Sequence, residues 1–315
     1  MSHRLTEDAK GVFIISATPF DDNGAVDHAS LEKLTEFYIG KGVSGITILG
    51  MMGEAPKLTT EESTAVITTV MDQVADRVPV VVGVSNPGLD NLVRLAETAM
   101  DKGAAGVMVA PNAGHKTESG IVSAFQKIAE RLPFVPLVFQ DFPLTTQIQI
   151  SAGGFANLVA NVPSVVMLKH EDWPGLGKLS DVRAVAKKRR IKRVSILCGN
   201  GGLYLPQELA RGADGAMTGF AYPEMLVEVV RRHQAGDIDA AEDLFDVFLP
   251  LVRHEQQPGF GLAVRKEVLR RRGVIASAAV RAPGPKLDAT GQAELGRLMD
   301  RLERRLAEVA PEMVA

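Results

Sequence analysis

Eight short apolar segments alternate with amphipathic helical segments along most of this 315-residue chain. The apolar segments are rich in β-branched residues and predict buried strands, because a strand covered on both faces is apolar throughout rather than at every second residue. They lie at 12–15, 45–49, 80–84, 106–109, 135–139, 165–168, 194–197 and 215–218. Eight parallel strands, each followed by a helix, predict a closed (β/α)8 TIM barrel of the α/β class.

Helical periodicity and capping residues support this pattern. Asp27 and Ser151 are helix-capping residues that precede periodic segments, and Thr59 with Glu62 three residues later forms a capping-box signature. The predicted barrel helices lie at 29–40, 60–74, 89–102, 119–131, 152–160, 176–188, 204–211 and 223–235.

Three further helical segments, at 238–252, 262–272 and 291–309, follow the eighth unit with no strand between them. We therefore predict a catalytic barrel over residues 1–235 and a C-terminal helical extension over residues 236–315. The extension is expected to pack on the barrel or on a partner subunit.

Composition excludes several classes of function. A formal net charge of −3 gives no electrostatic case for a nucleic-acid partner. The one cysteine, Cys198, excludes an internal disulfide, and its apolar neighbours favour a buried, inert thiol over a nucleophile. No apolar stretch approaches the roughly 18 residues of a membrane span, and the polar residues 1–11 lack the apolar region of a signal peptide. We expect a cytoplasmic protein with no membrane and no nucleic acid among its partners.

Lys169 follows the apolar run 164–168 and points most directly to chemistry. Burial penalises the charged ammonium, and the neutral amine that it favours can attack a carbonyl carbon to form a Schiff base. A lysine at a strand end can also simply reach solvent. In a (β/α)8 barrel, however, catalytic groups lie at the carboxyl ends of the strands, which is where Lys169 is predicted.

The same strand ends offer few other reactive groups. The consecutive side chains of 170–172 point in different directions, so no metal site is predicted, although a metal-dependent barrel lyase remains an alternative. His170 and His115 are candidate acid–base groups. An outward-facing structural role for His170 and a plain surface role for His115 are the alternatives. Asp141 is expected to point away from the site, into the barrel wall or a helix.

At these positions the chain resembles the dihydrodipicolinate synthase / N-acetylneuraminate lyase family of class I, Schiff-base aldolases. The anchors, in order, are Thr18-Pro19-Phe20, Gly50-x-x-Gly53-Glu54, Val109-Ala110-Pro111, Pro143 and Lys169. The resemblance implies that Lys169 forms an imine with pyruvate or another 2-oxo acid. It also implies that no metal or organic cofactor is needed, and that the chain forms a homo-oligomer, either a tetramer or a dimer.

The chain departs from the family pattern where the family relays protons. Met51 and Met52 replace two threonines, and a thioether cannot donate a hydrogen bond. The fifth-strand tyrosine of the family falls at Gln140, whose amide does not titrate. A second relay tyrosine falls near Ala113.

Two further departures concern the second substrate and the residue after the lysine. Residues 144–146 stand where the synthase has the arginine that binds the carboxylate of its aldehyde substrate, and His170 replaces the acid that usually follows the lysine. The resemblance therefore implies a divergent member that is not an authentic dihydrodipicolinate synthase.

The predicted function is a Schiff-base-forming lyase or aldolase acting on pyruvate or a related 2-oxo acid, with a non-catalytic 2-oxo-acid-binding barrel as the alternative. Lys169 forms the imine and Gln140 lies over it. The backbone of the loop that contains Gly50, Met51, Met52 and Gly53 holds the substrate carboxylate. The carbonyl of Met217, at the end of the eighth strand, helps to fix the substrate.

Overall fold

In the computed structural model, which describes residues 3–112 and 114–311, eight parallel strands close into a barrel with β8 paired to β1. This confirms the predicted (β/α)8 fold. The strands are β1 Gly11–Ile15, β2 Gly45–Ile48, β3 Val80–Gly83, β4 Gly106–Val109, β5 Leu137–Asp141, β6 Val165–His170, β7 Ser195–Cys198 and β8 Gly215–Ala216.

Helices surround the barrel and continue beyond it. The barrel helices are α1 His28–Gly40, α2 Thr60–Val74, α3 Leu89–Asp101, α4 Glu118–Arg131, α5 Pro143–Thr146, α6 Ala152–Asn161, α7 Gly175–Arg189, α8 Leu205–Ala210 and α9 Pro223–Gln234. The extension consists of α10 Ile238–Glu255, α11 Gly261–Arg271 and α12 Ala289–Val309. Within the described ranges, no helix is both long and apolar enough to cross a membrane.

The predicted capping residues begin their helices as expected. The side chain of Asp27 accepts a hydrogen bond from the Ser30 amide at 3.0 Å. Thr59 and Glu62 exchange both bonds of the capping box, at 2.9 and 3.2 Å. These caps satisfy N–H groups that the first helical turn leaves free, and they fix where the loops after β1 and β2 end.

Strands β5 and β6 each extend two residues further than the sequence predicts. Gln140 pairs with Lys169 and Asp141 pairs with His170. Backbone pairing between the two strands holds these polar residues in the sheet, although their composition alone marks a strand end. Lys169 is therefore anchored within β6 rather than in the loop that follows it.

Apolar side chains fill the barrel below the carboxyl ends of its strands. This inner cluster includes Phe13, Val81, Val138, Met167 and Leu197, all of them buried. At the opposite end, the Leu5 amide donates to the Ala105 carbonyl just before β4. The interior below the mouth is thus a packed core.

The C-terminal extension shares the outer core of the barrel. Phe248 of α10 packs edge-on against Phe220 and Tyr222 with ring centroids 6.2 and 5.6 Å apart. Leu302 of α12 is buried in the same cluster. The extension packs on its own barrel, one of the two predicted positions, and α11 places two buried cations, Arg265 and Lys266, beside the mouth.

Candidate active site

Lys169, Glu171 and Gln140 form one hydrogen-bonded cluster at the mouth of the barrel. The ammonium Nζ of Lys169 lies 3.0 Å from Glu171 Oε2, and Gln140 Nε2 donates to the same oxygen at 2.8 Å. All three residues are buried, with exposed fractions of 4%, 7% and 4% respectively. Glu171 therefore fixes the positions of the Lys169 ammonium and the Gln140 amide. Its carboxylate is also the charge partner of the ammonium.

Strand alternation explains which side chains reach the cavity. Residues two apart on a strand share a face, so Lys169 and Glu171 point inward while His170 points outward. The ring Nε2 of His170 lies 3.0 Å from the Gly175 carbonyl. Burial works to lower the pKa of His170, but Asp141 and the Gly175 carbonyl outweigh it and raise the pKa above its ordinary value. His170 thus occupies the outward, structural position, away from the reacting groups.

Asp141 and the second candidate acid–base group, His115, also lie outside the cavity. Asp141 is buried against α7, where its carboxylate lies 2.6 Å from Lys178 Nζ, so the expected outward orientation is confirmed. His115 is half-buried and accepts from the Asn112 amide at 3.4 Å, and burial lowers its pKa. Ala113, the position of the second relay tyrosine of the family, lies outside the described residues.

A cavity of about 80 Å³ opens beside the Lys169 cluster. Its volume suits a small ligand, or one end of it, rather than a large substrate. It is lined by Ile15, Met51, Met52, Gln140, Phe142, Lys169, Glu171, Asn200, Gly201, Thr218, Gly219, Gln256 and Arg265.

The loop after β2 forms a tight turn over residues 51–53. Leu49 and Glu54, on either side of it, adopt left-handed backbone conformations with φ of 53° and 55°. Such values are uncommon for residues other than glycine. Gly83 on β3 permits this turn, because a Cβ there would lie 2.3 Å from the Leu49 carbonyl oxygen. The hydroxyl of Thr18 donates to the Gly53 carbonyl at 2.7 Å and fixes the far end of the turn.

The five predicted substrate-binding residues are not equivalent. Met51 and Met52 line the cavity, and Met51 is 44% exposed. Gly50 lines an adjoining groove that Met51 and Gln140 share, while Gly53 lines neither space. The side chain of Met217 packs into the inner core. The cavity is lined instead by Thr218 and Gly219, which follow β8.

Residues of the C-terminal extension contact the loop after β2 through Glu54. Glu54 is buried, and its carboxylate contacts Lys266 Nζ at 2.6 Å, Lys57 Nζ at 2.8 Å and the Arg281 amide at 3.0 Å. The Lys266 ammonium also donates to the Ala279 carbonyl at 2.8 Å. The glutamate of the glycine-rich motif thus connects the loop to α11 and to the segment that follows it.

Residues 144–146 form part of the single-turn helix α5, which the sequence analysis did not predict. Leu144 is exposed, and the hydroxyl of Thr146 donates to the Phe142 carbonyl at 3.1 Å. No cation stands within this segment to bind an aldehyde carboxylate.

Sequence reasoning missed Glu171, Thr218 and Arg265 as site residues. Glu171 had a signal, since it lies two positions after Lys169 and therefore on the same face. Arg265 had none, because it lies in an arginine-rich helical segment that is typical of a solvated surface. Among the described residues, no group of three His, Cys, Asp or Glu side chains is placed to hold a metal ion.

Comparisons with known proteins agree with this geometry. The model of the "Dihydrodipicolinate synthetase family" matches residues 8–302. An L-2-keto-3-deoxyarabonate dehydratase from Azospirillum brasilense is 29% identical over 313 residues, covering 96% of this chain and 97% of the relative. A 4-hydroxy-tetrahydrodipicolinate synthase from Sorangium cellulosum is 34% identical over 304 residues, covering 94% and 96%.

Among solved structures, a dihydrodipicolinate synthase from Rhodopseudomonas palustris superposes with a TM-score of 0.92 at 46% identity, covering 95% of this chain and 100% of the other. The family model spans nearly the whole chain. The lysine, the glycine-rich loop and the helical extension all belong to the one barrel described above. The chain therefore belongs to the dihydrodipicolinate synthetase family, as a divergent member.

Proposed function

We propose that this protein is a Schiff-base-forming lyase or aldolase that acts on pyruvate or a related 2-oxo acid. The observation that carries the proposal is the buried contact of 3.0 Å between Lys169 Nζ and Glu171 Oε2 beside a small cavity. An amine, a carboxylate that can exchange protons with it and an enclosed space for a carbonyl compound are what imine chemistry requires.

Glu171 takes the place of the missing tyrosine relay in this proposal. Its carboxylate accepts a proton from the Lys169 ammonium, and the free amine attacks the C2 carbonyl carbon to give a carbinolamine. Glu171 returns the proton to the carbinolamine oxygen, which leaves as water while the imine forms. The Glu171 carboxylate, which has given up its proton, then accepts one from C3 and so gives the enamine that makes or breaks the next bond. Gln140, through its 2.8 Å hydrogen bond, orients the carboxylate rather than titrating.

Two observations favour a substrate other than that of the synthase. Leu144, Thr145 and Thr146 offer no charge for an aldehyde carboxylate, and Gln140 replaces the tyrosine. The Azospirillum relative is named as a dehydratase of a 2-keto-3-deoxy acid, which supports cleavage of a carbon–oxygen bond as one outcome of the same imine. The proposed partners are a small 2-oxo acid and further copies of this chain in a tetramer or dimer in the cytoplasm, without a metal or organic cofactor.

Borohydride trapping tests the imine. Pyruvate with borohydride should add a reduced adduct to Lys169, seen by intact mass and peptide mapping. An equal adduct in Lys169→Ala, or none in the wild type, would refute the proposal. Because a non-catalytic 2-oxo-acid-binding barrel would also form the adduct, turnover must be measured separately.

A panel of 2-oxo acids and 4-hydroxy-2-oxo acids separates the enzyme from the binding barrel. The wild type should turn over at least one of them, and chelation should leave the rate unchanged, which excludes the metal-dependent lyase. Glu171→Gln should slow formation of the Lys169 adduct and lose about 10²- to 10⁴-fold in turnover, the usual contribution of a general acid–base. Full turnover in that variant would remove Glu171 from the mechanism.

A further inference from the structure

Arg265 of α11 brings a buried guanidinium from the extension into the cavity that holds Lys169. The residue is 1% exposed and lines the cavity. Its Nε forms an ion pair with Glu255, and its Nη2 donates to the Gly219 carbonyl at 2.6 Å. Glu255 also accepts from the Ala221 amide at 3.2 Å. Both sides of the guanidinium are therefore held in place, and its orientation is fixed before any ligand arrives.

The third nitrogen of Arg265 is left without a partner. Across residues 3–112 and 114–311, no hydrogen-bond acceptor contacts the buried Nη1 atom. Gly219 makes room for it, because a Cβ at that position would lie 2.0 Å from Nη1. A buried donor that is left unsatisfied is costly, so an acceptor that enters the cavity gains the whole interaction.

We propose that Arg265 Nη1 binds the carboxylate of the 2-oxo acid whose carbonyl carbon reacts with Lys169. The inference rests on the proposed function, which does not say which residue binds the substrate carboxylate. It assigns that role to Arg265. A charged guanidinium prefers a carboxylate to a neutral acceptor. In a cavity of about 80 Å³, the carboxylate and the adjacent carbonyl of one small molecule are close to both cations.

The substitutions in the loop after β2 add a second reason. Met51 and Met52 line the same cavity and offer no side-chain donor, although the resemblance places threonine hydroxyls there. The turn uses the amides of Gly53 and Glu54 for its own hydrogen bonds, at 3.1 Å each. Arg265 thus supplies from the extension a donor that the side chains of the loop do not provide.

The test compares pyruvate with methyl pyruvate, which has the same ketone and a masked carboxylate. In the double variant Glu255→Gln/Arg265→Gln the buried charge is removed as a pair, so no lone carboxylate remains in the core. The pyruvate concentration that half-saturates borohydride trapping on Lys169 should rise about ten- to a hundredfold, the effect of losing a charge-assisted hydrogen bond. The value for methyl pyruvate should change by less than about threefold, since it lacks the charge.

A second variant and a matched control accompany it. Gly219→Ala should give the same pyruvate-selective loss, because the added methyl displaces Nη1. Arg270 lies on the same helix and has a half-exposed side chain paired to Glu267. Arg270→Gln should therefore leave the half-saturating concentrations of both compounds unchanged. Unchanged pyruvate trapping, or an equal loss for both compounds, would overturn the role of Arg265. Absence of any pyruvate adduct in the wild type would instead overturn the proposed function, and this inference with it.

Discussion

The ion pair between Lys266 and Glu54 predicts that the extension stabilises the loop at the mouth of the barrel. The Lys266 ammonium is buried, lies 2.6 Å from Glu54 Oε1 and stands 4.4 Å from the centroid of the Phe20 ring. Lys266→Met leaves Glu54 buried with a weaker set of partners. Breaking a buried pair costs about 3–5 kcal/mol. Because Lys57 and the Arg281 amide still contact the carboxylate, we expect the lower end, about 3 kcal/mol.

Lys57→Met is the matched control, because it removes a partly exposed cation from the same buried carboxylate. The Lys57 side chain is 25% exposed, and a pair of this kind contributes about 0–1 kcal/mol. Urea unfolding gives the free energy for both variants and for Glu54→Gln/Lys266→Met. The double variant should recover most of the loss, since an apolar and a neutral side chain replace the pair.

The same variants connect stability to the site. If Glu54 positions residues 50–53, Lys266→Met should also weaken trapping of pyruvate on Lys169, whereas Lys57→Met should not. The reasoning fails if Lys266→Met unfolds within about 0.5 kcal/mol of Lys57→Met, the ordinary scatter of surface substitutions. It also fails if the double variant is no more stable than Lys266→Met alone.

Two further predictions concern pH and substrate. Burial raises the pKa of Glu208 from its ordinary 4.5 to about 7. The folded protein therefore keeps a proton that the unfolded chain releases, and stability falls as the pH rises from about 5 to about 8. Glu208→Gln should remove about 2–3 kcal/mol of that fall in urea titrations at the two pH values, and parallel curves would contradict this. Condensation of pyruvate with aspartate semialdehyde should be at least about 10³-fold below that of a typical synthase, because both the arginine contact and the tyrosine relay are missing. An efficient coupled assay would show that another residue replaces the arginine.

The fold followed from the sequence because its signal is repeated eight times. Each apolar segment is ambiguous alone, but a parallel strand followed by an amphipathic helix has few ways to continue other than a closed barrel. The caps at Asp27 and Thr59 could be predicted for the same local reason, since the hydrogen bonds involved span three residues. The last two residues of β5 and β6 were not predicted, because they are set by pairing between strands rather than by composition.

The candidate site could be predicted only in part. Lys169 was identifiable from one strand and its position in the barrel. Glu171 needed only the two-residue alternation, but its predicted location after a strand end concealed that relation. Arg265 lies 96 positions after Lys169 and reaches the cavity from a helix outside the barrel. Nothing in its local sequence distinguishes it from Arg270, which is half exposed on the same helix. Contacts of that kind depend on tertiary packing.

Met51, Met52 and Gln140 decide between a site rebuilt for another substrate and a site that has lost turnover. All three line the cavity, and Gln140 holds Glu171 through a 2.8 Å hydrogen bond. If the site is rebuilt, Met51→Thr/Met52→Thr/Gln140→Tyr should weaken binding of the 2-oxo acid that the wild type binds most tightly. Each thioether that leaves the wall costs roughly 1 kcal/mol, and a phenol enters a space of only about 80 Å³.

If the site has only decayed, the same triple variant should leave ligand affinity unchanged and regain pyruvate-lyase turnover, because Lys169 is still in place. Calorimetry with parallel rate measurements separates the two outcomes, and unchanged affinity with regained turnover would refute the rebuilt site. The structure favours rebuilding on physical grounds. Lys169, Glu171 and Arg265 are buried charges around one cavity, and buried charges are costly to keep. In a barrel that only packs, apolar side chains of similar volume would stabilise the same positions as well or better.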